Sequence, residues 1–380
     1  MAVKVVIACD SFKGSVTAVQ AVSYLEEGIR RVWPEAEVDG IPVADGGEGT
    51  VDAFLHSVPG RRIYVSVTGP LGEPVQAEFA LLEDGTAVIE MAAASGLPLV
   101  SPEKRNPMLT TTYGTGELIL AALNAGCARL VLGLGGSATN DGGAGMAQAL
   151  GVKLLDGQGR SLPPGGGALE RLERMDVNGI DPRLAQIPLV VACDVTNPLC
   201  GPQGASAVFG PQKGADGEMV AKLDQNLAHF ARVGQACTGR DVVNVPGAGA
   251  AGGLGAGLLL FTNAQMCSGI TTVLDTVGFD ARVTDADLVI TGEGRMDGQS
   301  VCGKTPVGVA QRVKAQGNIP VVAIVGSIGP QAERVYDYGI DAIFSTAPGP
   351  ITLEEAMGNS HTLLASTAER VARLMRAVRP

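Results

Sequence analysis

An α/β fold with a largely parallel sheet is predicted for this chain on two observations. Short apolar runs rich in Val and Ile recur along it, and segments with apolar residues at helical spacing separate them. Residues 4–9, KVVIAC, open the chain as a strand of the fully buried kind. The next segment begins at a capping box, Thr17 with Gln20, and sets Val19, Val22, Leu25, Ile29 and Val32 on one helical face. A second strand near 38–43 runs into the loop ADGGEGT. The style changes over 62–91: RIYVSV, QAEFALL and TAVIEMA, the last two joined across Asp84-Gly85, read as hairpin strands. Buried-type runs resume at 130–134, 189–193, 288–291, 321–325 and 343–345. A helix over about 360–378 closes the pattern, with Leu363, Leu364, Val371, Leu374 and Met375 at helical spacing. VVIACD (5–10) and LVVACD (189–194) resemble each other, but no repeat of fixed period is present. No low-complexity linker marks a boundary, so the pattern leaves consecutive and inserted domains both open.

Composition narrows the function classes. A chain of 380 residues suits two domains of ordinary size, and 46% hydrophobic residues with a mean hydropathy of +0.22 can bury a large interior. The 53 glycines are about twice the average usage, which points to many positions of positive φ or close approach to a ligand. Aromatic residues are only 4%, with Trp33 the sole Trp, so neither a base-stacking platform nor an aromatic cage is expected. The net charge of −11 argues against nucleic acid and anionic membranes, which need a basic footprint. An acidic protein that handles anions would want a divalent cation between them. The first apolar run meets Asp10 too soon for a signal peptide, and no segment approaches the length of a bilayer span. Seven cysteines without a CxxC suit a reducing cytoplasm and read as small buried apolar residues. His56, His229 and His361 lie away from the Gly-rich loops and are not expected to be catalytic or metal-binding.

Five apolar runs end in loops that combine glycine with acids or hydroxyls: CDSFKGS, ADGGEGT, GLGGSATNDGGAGM, ACDVTNP and TGEGRMDGQSVCGKTP. Ligands bind outside the carboxyl ends of strands in open α/β sheets. One such loop is ordinarily a tight turn; five argue for a site. In the third loop, glycines free backbone N–H groups for an anion, Ser137, Thr139 and Asn140 add donors, and a helix follows. It is the best candidate phosphate cradle in the sequence. Residues 298–305 spell GxxxxGK[ST], but the preceding strand is expected to end at Thr291, too early for a P-loop. The intervening Glu293 and Asp297 point to a metal. Residues 247–252 spell GxGxxG, yet Asp275, the acid at the expected distance, falls in a helical stretch, which favours close packing or nucleotide contact over NAD. Lys13, Arg105, Lys213, Arg295 and Lys304 are the loop cations available to an anion. Asp194, leaving a buried strand with little positive charge nearby, is the preferred proton acceptor.

Taken together, SFKGS, PVADGGEGT, EMAAASGL, EKRNP, TTTYGTGELI, GLGGSATNDGGAGM, ACDVTNPLCGPQGASAVFGPQKGA, PGAGAAGGLGAGL and TGEGRMDGQSVCGKTP resemble the class I glycerate kinase family, essentially end to end. The resemblance implies ATP-dependent phosphorylation of D-glycerate to 2-phosphoglycerate with Mg²⁺. It also implies a Rossmann-like domain built from both chain ends (1–70 and 275–380), an inserted α/β domain with a mixed sheet (71–274), and an active site in the cleft between them. The fold it implies is not a P-loop one. Chemistry placed on these motifs assigns Mg²⁺ to Asp45, Glu48, Glu293 and Asp297, and phosphates to Gly135, Gly136, Ser137, Thr139 and Asn140, with Lys304 acting nearby in catalysis. Lys13, Arg105 and Ser11 would take the glycerate carboxylate, and Asp194 would orient or deprotonate the attacking hydroxyl. The expected partners are the small molecules ATP and D-glycerate, with neither nucleic acid nor membrane; whether a homodimer forms stays open. Three rivals stand beside this reading: an NAD-dependent hydroxy-acid oxidoreductase, a P-loop NTPase, and a non-catalytic glycerate- or nucleotide-binding protein.

Overall fold

The Val- and Ile-rich runs form the central strands of two sheets in the computed structural model, which describes residues 3–301 and 304–378. Cys302 and Gly303, inside the GxxxxGK[ST] pattern, lie outside the described residues. In chain order the strands are β1 (Lys4–Cys9), β2 (Glu37–Pro42), β3 (Gly60–Thr68), β4 (Pro74–Leu82), β5 (Thr86–Glu90), β6 (Arg129–Gly133) and β7 (Lys153–Leu155). They continue as β8 (Arg174–Asp176), β9 (Leu189–Ala192), β10 (Ala264–Cys267), β11 (Leu288–Met296), β12 (Val321–Ile328) and β13 (Ala342–Ser345).

The first of two compact units takes the chain up to Asp45, residues 52–58, and everything from Ile270 onward. Its sheet is wholly parallel, in the order β13-β12-β11-β1-β2. Parallel strands need crossover helices on both faces, which is why β1 is apolar along nearly its whole length. Val5 and Ile7 of β1 and Leu288 and Ile290 of β11 pack with Leu25 and Ile29 of the helix Ala18–Arg30 and with Leu364, Ala368 and Val371 of the helix Ser360–Val378. The Thr17–Gln20 capping box opens the first of these helices, as expected. The two helices meet at Gly28, where a Cβ would lie 2.1 Å from the carbonyl oxygen of Ala365. From β1 the chain builds one way to β2, and from β11 the other way through β12 to β13. The order therefore reverses between β1 and β11, the point where doubly wound sheets hold ligands.

One expectation fails here. Strand β11 does not end at Thr291 but runs to Met296, because β12 extends beside it, with Glu293 opposite Val325 and Arg295 opposite Ser327. The acids and glycines of GEGRM are strand residues, a role their composition conceals.

The second unit comprises residues 46–51 and 59–269. Its main sheet is mixed, in the order β10-β9-β6-β5-β4-β3: β3, β4 and β5 form an antiparallel meander, and β5, β6, β9 and β10 run parallel. The Asp84-Gly85 turn forms as predicted, with Gly85 at φ +84 and the Asp84 carboxylate accepting the Thr86 N–H at 2.8 Å. Strand β3 pairs with β4 from Gly60 opposite Leu82 to Thr68 opposite Pro74. It thus belongs to this sheet, although the boundary that the resemblance implies, after residue 70, would leave it with the chain ends. Phe79, Ile89, Leu118, Leu130, Leu132, Val191 and Leu254 are among the core residues of this unit. Among the described residues, no helix is long and apolar enough to cross a membrane.

The Gly28 crossing gives a test of opposite sign to helix propensity. Propensity alone would reward Gly28→Ala by about 1 kcal/mol. The collision with Ala365 makes the substitution cost about 1–3 kcal/mol instead, to be read from the thermal unfolding midpoint.

Candidate functional site

At the reversal point of the parallel sheet, the ends of β1, β2, β11 and β12 supply the walls of one pocket of about 380 Å³. Its carboxylates are Asp10, Asp45 and Glu293, and its cations are Lys13, Arg295 and Lys304. Ser11, Gly294, Ser327 and Leu353 complete the lining. Asp10 leaves β1 and is held on both oxygens: Oδ1 accepts the Ser11 N–H at 2.6 Å, and Oδ2 accepts the Thr305 hydroxyl at 2.9 Å. Burial, reinforced by the charge of Asp45, pushes its pKa up to about 6. Glu293 is 9% exposed; it accepts the Ser300 hydroxyl at 2.6 Å and pairs with the Lys304 ammonium at 3.3 Å. Burial raises the Glu293 carboxyl above its ordinary range, against the pull of those two partners. Lys304 stands at the N-terminal cap of the helix Thr305–Gln316 and reaches the pocket from there.

The second unit holds the glycine-rich loop. It leaves β6 at Gly133 and enters the short helix Ala144–Ala149. Ser137, Thr139, Asn140 and Asp141 are all buried. The Asp141 carboxylate organises the turn by accepting the N–H groups of Thr112 (2.9 Å), Gly143 (3.1 Å) and Gly145 (3.1 Å), together with the Thr112 hydroxyl. Lys213, 1% exposed, donates to Ser137 Oγ at 2.8 Å and to the Thr139 carbonyl at 2.7 Å. Burial pushes its pKa down to about 7, with Asp141 pulling the other way. Asn140 donates through Nδ2 to Ser206 Oγ, while Asn140 Oδ1 and Thr139 Oγ1 are buried without a hydrogen-bond partner.

The glycines of the GxGxxG run prove to be packing positions, and Gly252 is the one that meets this loop; Gly249 abuts the Pro198 carbonyl. Ala251, Gly252 and Gly253 adopt left-handed φ inside the segment Ala250–Phe261, and a Cβ at Gly252 would lie 1.9 Å from the Thr139 carbonyl oxygen. Two backbones touch there. Each motif glycine packs against the protein's own atoms, which removes the motif from the NAD reading.

Of the residues singled out in the sequence, Ser11, Lys13, Asp45, Glu293 and Lys304 share the first pocket. Gly135, Gly136, Ser137, Thr139 and Asn140 share the loop after β6. The four expected metal ligands are not gathered: among the described residues, no three His, Cys, Asp or Glu side chains form a metal-holding group. Asp297 does not line the pocket; it accepts the Gln299 N–H at 3.0 Å and pairs with Arg295 at 3.2 Å, which makes it a turn residue. Glu48 is exposed and counts with the second unit. Arg105 also belongs to that unit, against the Gly214 turn, with its Nε buried and unbonded. Asp194 follows β9, and its Oδ1 accepts the Ser268 hydroxyl (3.0 Å) and the Gly269 N–H (2.8 Å), anchoring the start of the helix Gly269–Thr276. His229 lies against the Leu172 carbonyl and His361 against Glu27.

Sequence reasoning missed Asp10. The signal was present: Asp10 ends VVIACD as Asp194 ends LVVACD, and only the second was chosen. It also undervalued Lys213, whose burial no local pattern announces.

A model of the glycerate kinase family matches residues 5–376. The chain belongs to that family. It is 55% identical over 370 residues to a glycerate kinase of Bacillus subtilis, covering 97% of each chain. It is 49% identical over 370 residues to a glycerate 2-kinase of Escherichia coli, again covering 97% of each. A solved chain from Salmonella typhimurium LT2, described as glycerate kinase 2, superposes with a TM-score of 0.89 at 49% identity over 99% of both chains. Membership in the glycerate kinase family agrees with the resemblance carried by the loops, and both sets of loops now have a place in the fold.

Asp10 gives a stability test specific to this pocket. Its folded-state pKa of about 6 lies above the ordinary carboxyl value, so Asp10 favours folding only while protonated. That contribution is complete below about pH 4 and is lost as the pH rises through about 6. Asn keeps an acceptor for Ser11 and a donor for Thr305. In metal-free protein, Asp10→Asn should therefore stabilise by up to ~3 kcal/mol at pH 8, with the gain vanishing near pH 4 in urea titrations.

Proposed function

We propose that this member of the glycerate kinase family transfers the γ-phosphoryl group of ATP to D-glycerate, giving 2-phosphoglycerate and ADP. The observation that carries the reading is the pocket at the β1/β11 reversal, where Asp10 and Asp45 face three cations. The printed name of the Escherichia coli relative, glycerate 2-kinase, supports the position of attack.

The pocket fits Mg²⁺. Burial, with the charge of Asp45 adding to it, raises the Asp10 pKa, and both carboxylates offer hard oxygen donors. Mg²⁺ is commonly bound by one or two carboxylates plus substrate phosphates, so a preformed cluster of three is not required. Asp10 and Asp45 would hold the ion; when bound, it neutralises charge on the transferring phosphates. Glu293 pairs with Lys304 and so sets where the ammonium stands for the anion that enters the pocket. Lys13 and Ser11 offer the glycerate carboxylate a cation and a hydroxyl. In the second unit, the backbone and hydroxyl donors of Gly136, Ser137, Thr139 and Asn140 receive the nucleotide phosphates, while Gly135, whose N–H donates to the Gly46 carbonyl at 3.4 Å, shapes the turn. Phosphoryl transfer asks for this positioning and charge neutralisation, and for little covalent work by the protein. The described cysteines are free thiols, which supports a cytoplasmic setting.

Incubation with ATP, Mg²⁺ and D-glycerate, followed by ³¹P NMR, tests the reaction and its position together. The expected product gives a phosphorus signal split into a doublet by the single proton on carbon 2. A triplet would move the attack to the terminal hydroxyl. Substrate binding without any new signal would make the protein a binding protein. Asp194→Asn addresses the remaining role, because its amide oxygen keeps the bonds to Ser268 and Gly269. Loss of ~10²–10⁴-fold in kcat would assign the carboxylate to the hydroxyl proton, while unimpaired turnover would leave Asp194 only its anchoring role.

A further inference from the structure

An ammonium wholly enclosed by protein normally faces a carboxylate. Lys213 does not: among the described residues its Nζ makes no ion pair, and its partners are a hydroxyl and a backbone carbonyl of one loop. We infer that Lys213 is a positioning residue of the loop after β6, aiming the Ser137 hydroxyl and the Asn140 N–H at a bound phosphate and supplying the positive charge that balances it. The inference rests on the reading of this loop as the nucleotide phosphate cradle.

Two pieces of geometry carry it. Ser137 Oγ accepts from Lys213 at 2.8 Å, so a lone pair of that oxygen is occupied and its O–H is left to donate elsewhere. The Thr139 carbonyl is drawn to the same ammonium at 2.7 Å. In a planar trans peptide, C=O and N–H point in opposite directions, so the Asn140 N–H is turned away from Lys213. It meets no protein acceptor among the described residues. The Thr139 hydroxyl, buried and without a hydrogen-bond partner beside it, is a further donor for an anion. One buried cation thus orients two donors of the turn, on Ser137 and Asn140.

The electrostatics support the same conclusion. The charged groups on the packed elements are Asp141, which raises the Lys213 pKa but is already committed to Thr112, Gly143 and Gly145, and Arg105, whose carbonyl abuts Gly214. Neither satisfies the ammonium. An anionic phosphate would, and its arrival should draw a proton onto Lys213.

Isothermal titration of the full chain with Mg²⁺-free ADP, in buffers of different ionisation enthalpy, measures that proton. The wild-type protein should take up close to one proton per ADP near pH 8, and uptake should fall away below about pH 6, where the amine is already charged. A carboxylate would give the reverse trend. Lys213→Met should abolish the uptake and weaken ADP binding roughly 10- to 100-fold at pH 6.5, the effect of losing a charged donor. Wild-type protein that takes up no proton near pH 8, or a Met variant with unchanged uptake, overturns the inference. Should the Met variant not fold, the wild-type pH profile decides alone. Ser137→Ala, which removes the hydroxyl that Lys213 aims, separates the two levels: undiminished ADP binding there means that the loop does not hold the nucleotide. Weakened binding with no Lys213-dependent proton means that only the role of Lys213 is wrong.

Discussion

Everything functional in the first unit depends on one parallel pairing, that of β1 with β11, which places Val5 beside Leu288 and Cys9 beside Gly292. These strands come from opposite ends of the chain, and no local preference joins them. Their pairing makes the sheet order reverse, and the reversal opens the gap that Asp10, Asp45 and Glu293 enter. A sheet that grew in one direction only would have its crossover helices side by side over that edge. The pairing also explains why β1 tolerates so few polar residues: it is central, covered on both faces, and its first polar side chain after the buried run is Asp10.

The two candidate sites are opposite in electrostatic design. In the first unit, carboxylates are crowded, and the field between Asp10 and Asp45 adds to the cost of burial. In the second, a cation is buried against dipoles rather than charges. Both arrangements leave the protein alone electrostatically unfinished. Under the proposed function, a divalent cation would complete the first and a phosphate the second. Structural ion pairs look different: Arg282 with Asp39, and Arg312 with Asp275 and Asp280, have each charge answered by its opposite within the protein.

Glycine does two kinds of work here, and only one kind was readable. The Asp84-Gly85 turn has a local signature, and the hairpin it predicts is present. The run at 247–252 matches a nucleotide fingerprint by letters alone. Its true constraint is the neighbouring loop, whose Thr139 carbonyl leaves no room for a Cβ at Gly252. A motif of small residues reports that something comes close, without saying whether it is a ligand or the protein's own backbone.

The sequence by itself determined the α/β class, the capped helix after β1, the hairpin near Asp84, the glycine-rich loop after β6 and the family. Each of these is written in residues near one another, as periodicity, turn chemistry or long motifs. Tertiary structure decided the rest. It extended β11 through GEGRM, because an edge of β12 was there to pair with it. It moved β3 into the second sheet, set Asp10 and Asp45 in one pocket, gave the Asp297 and Asp194 carboxylates backbone N–H groups to accept, and buried Lys213 in the loop. Burial, strand partnership and the field at a carboxylate are set by residues far away in the chain, so no window of sequence contains them.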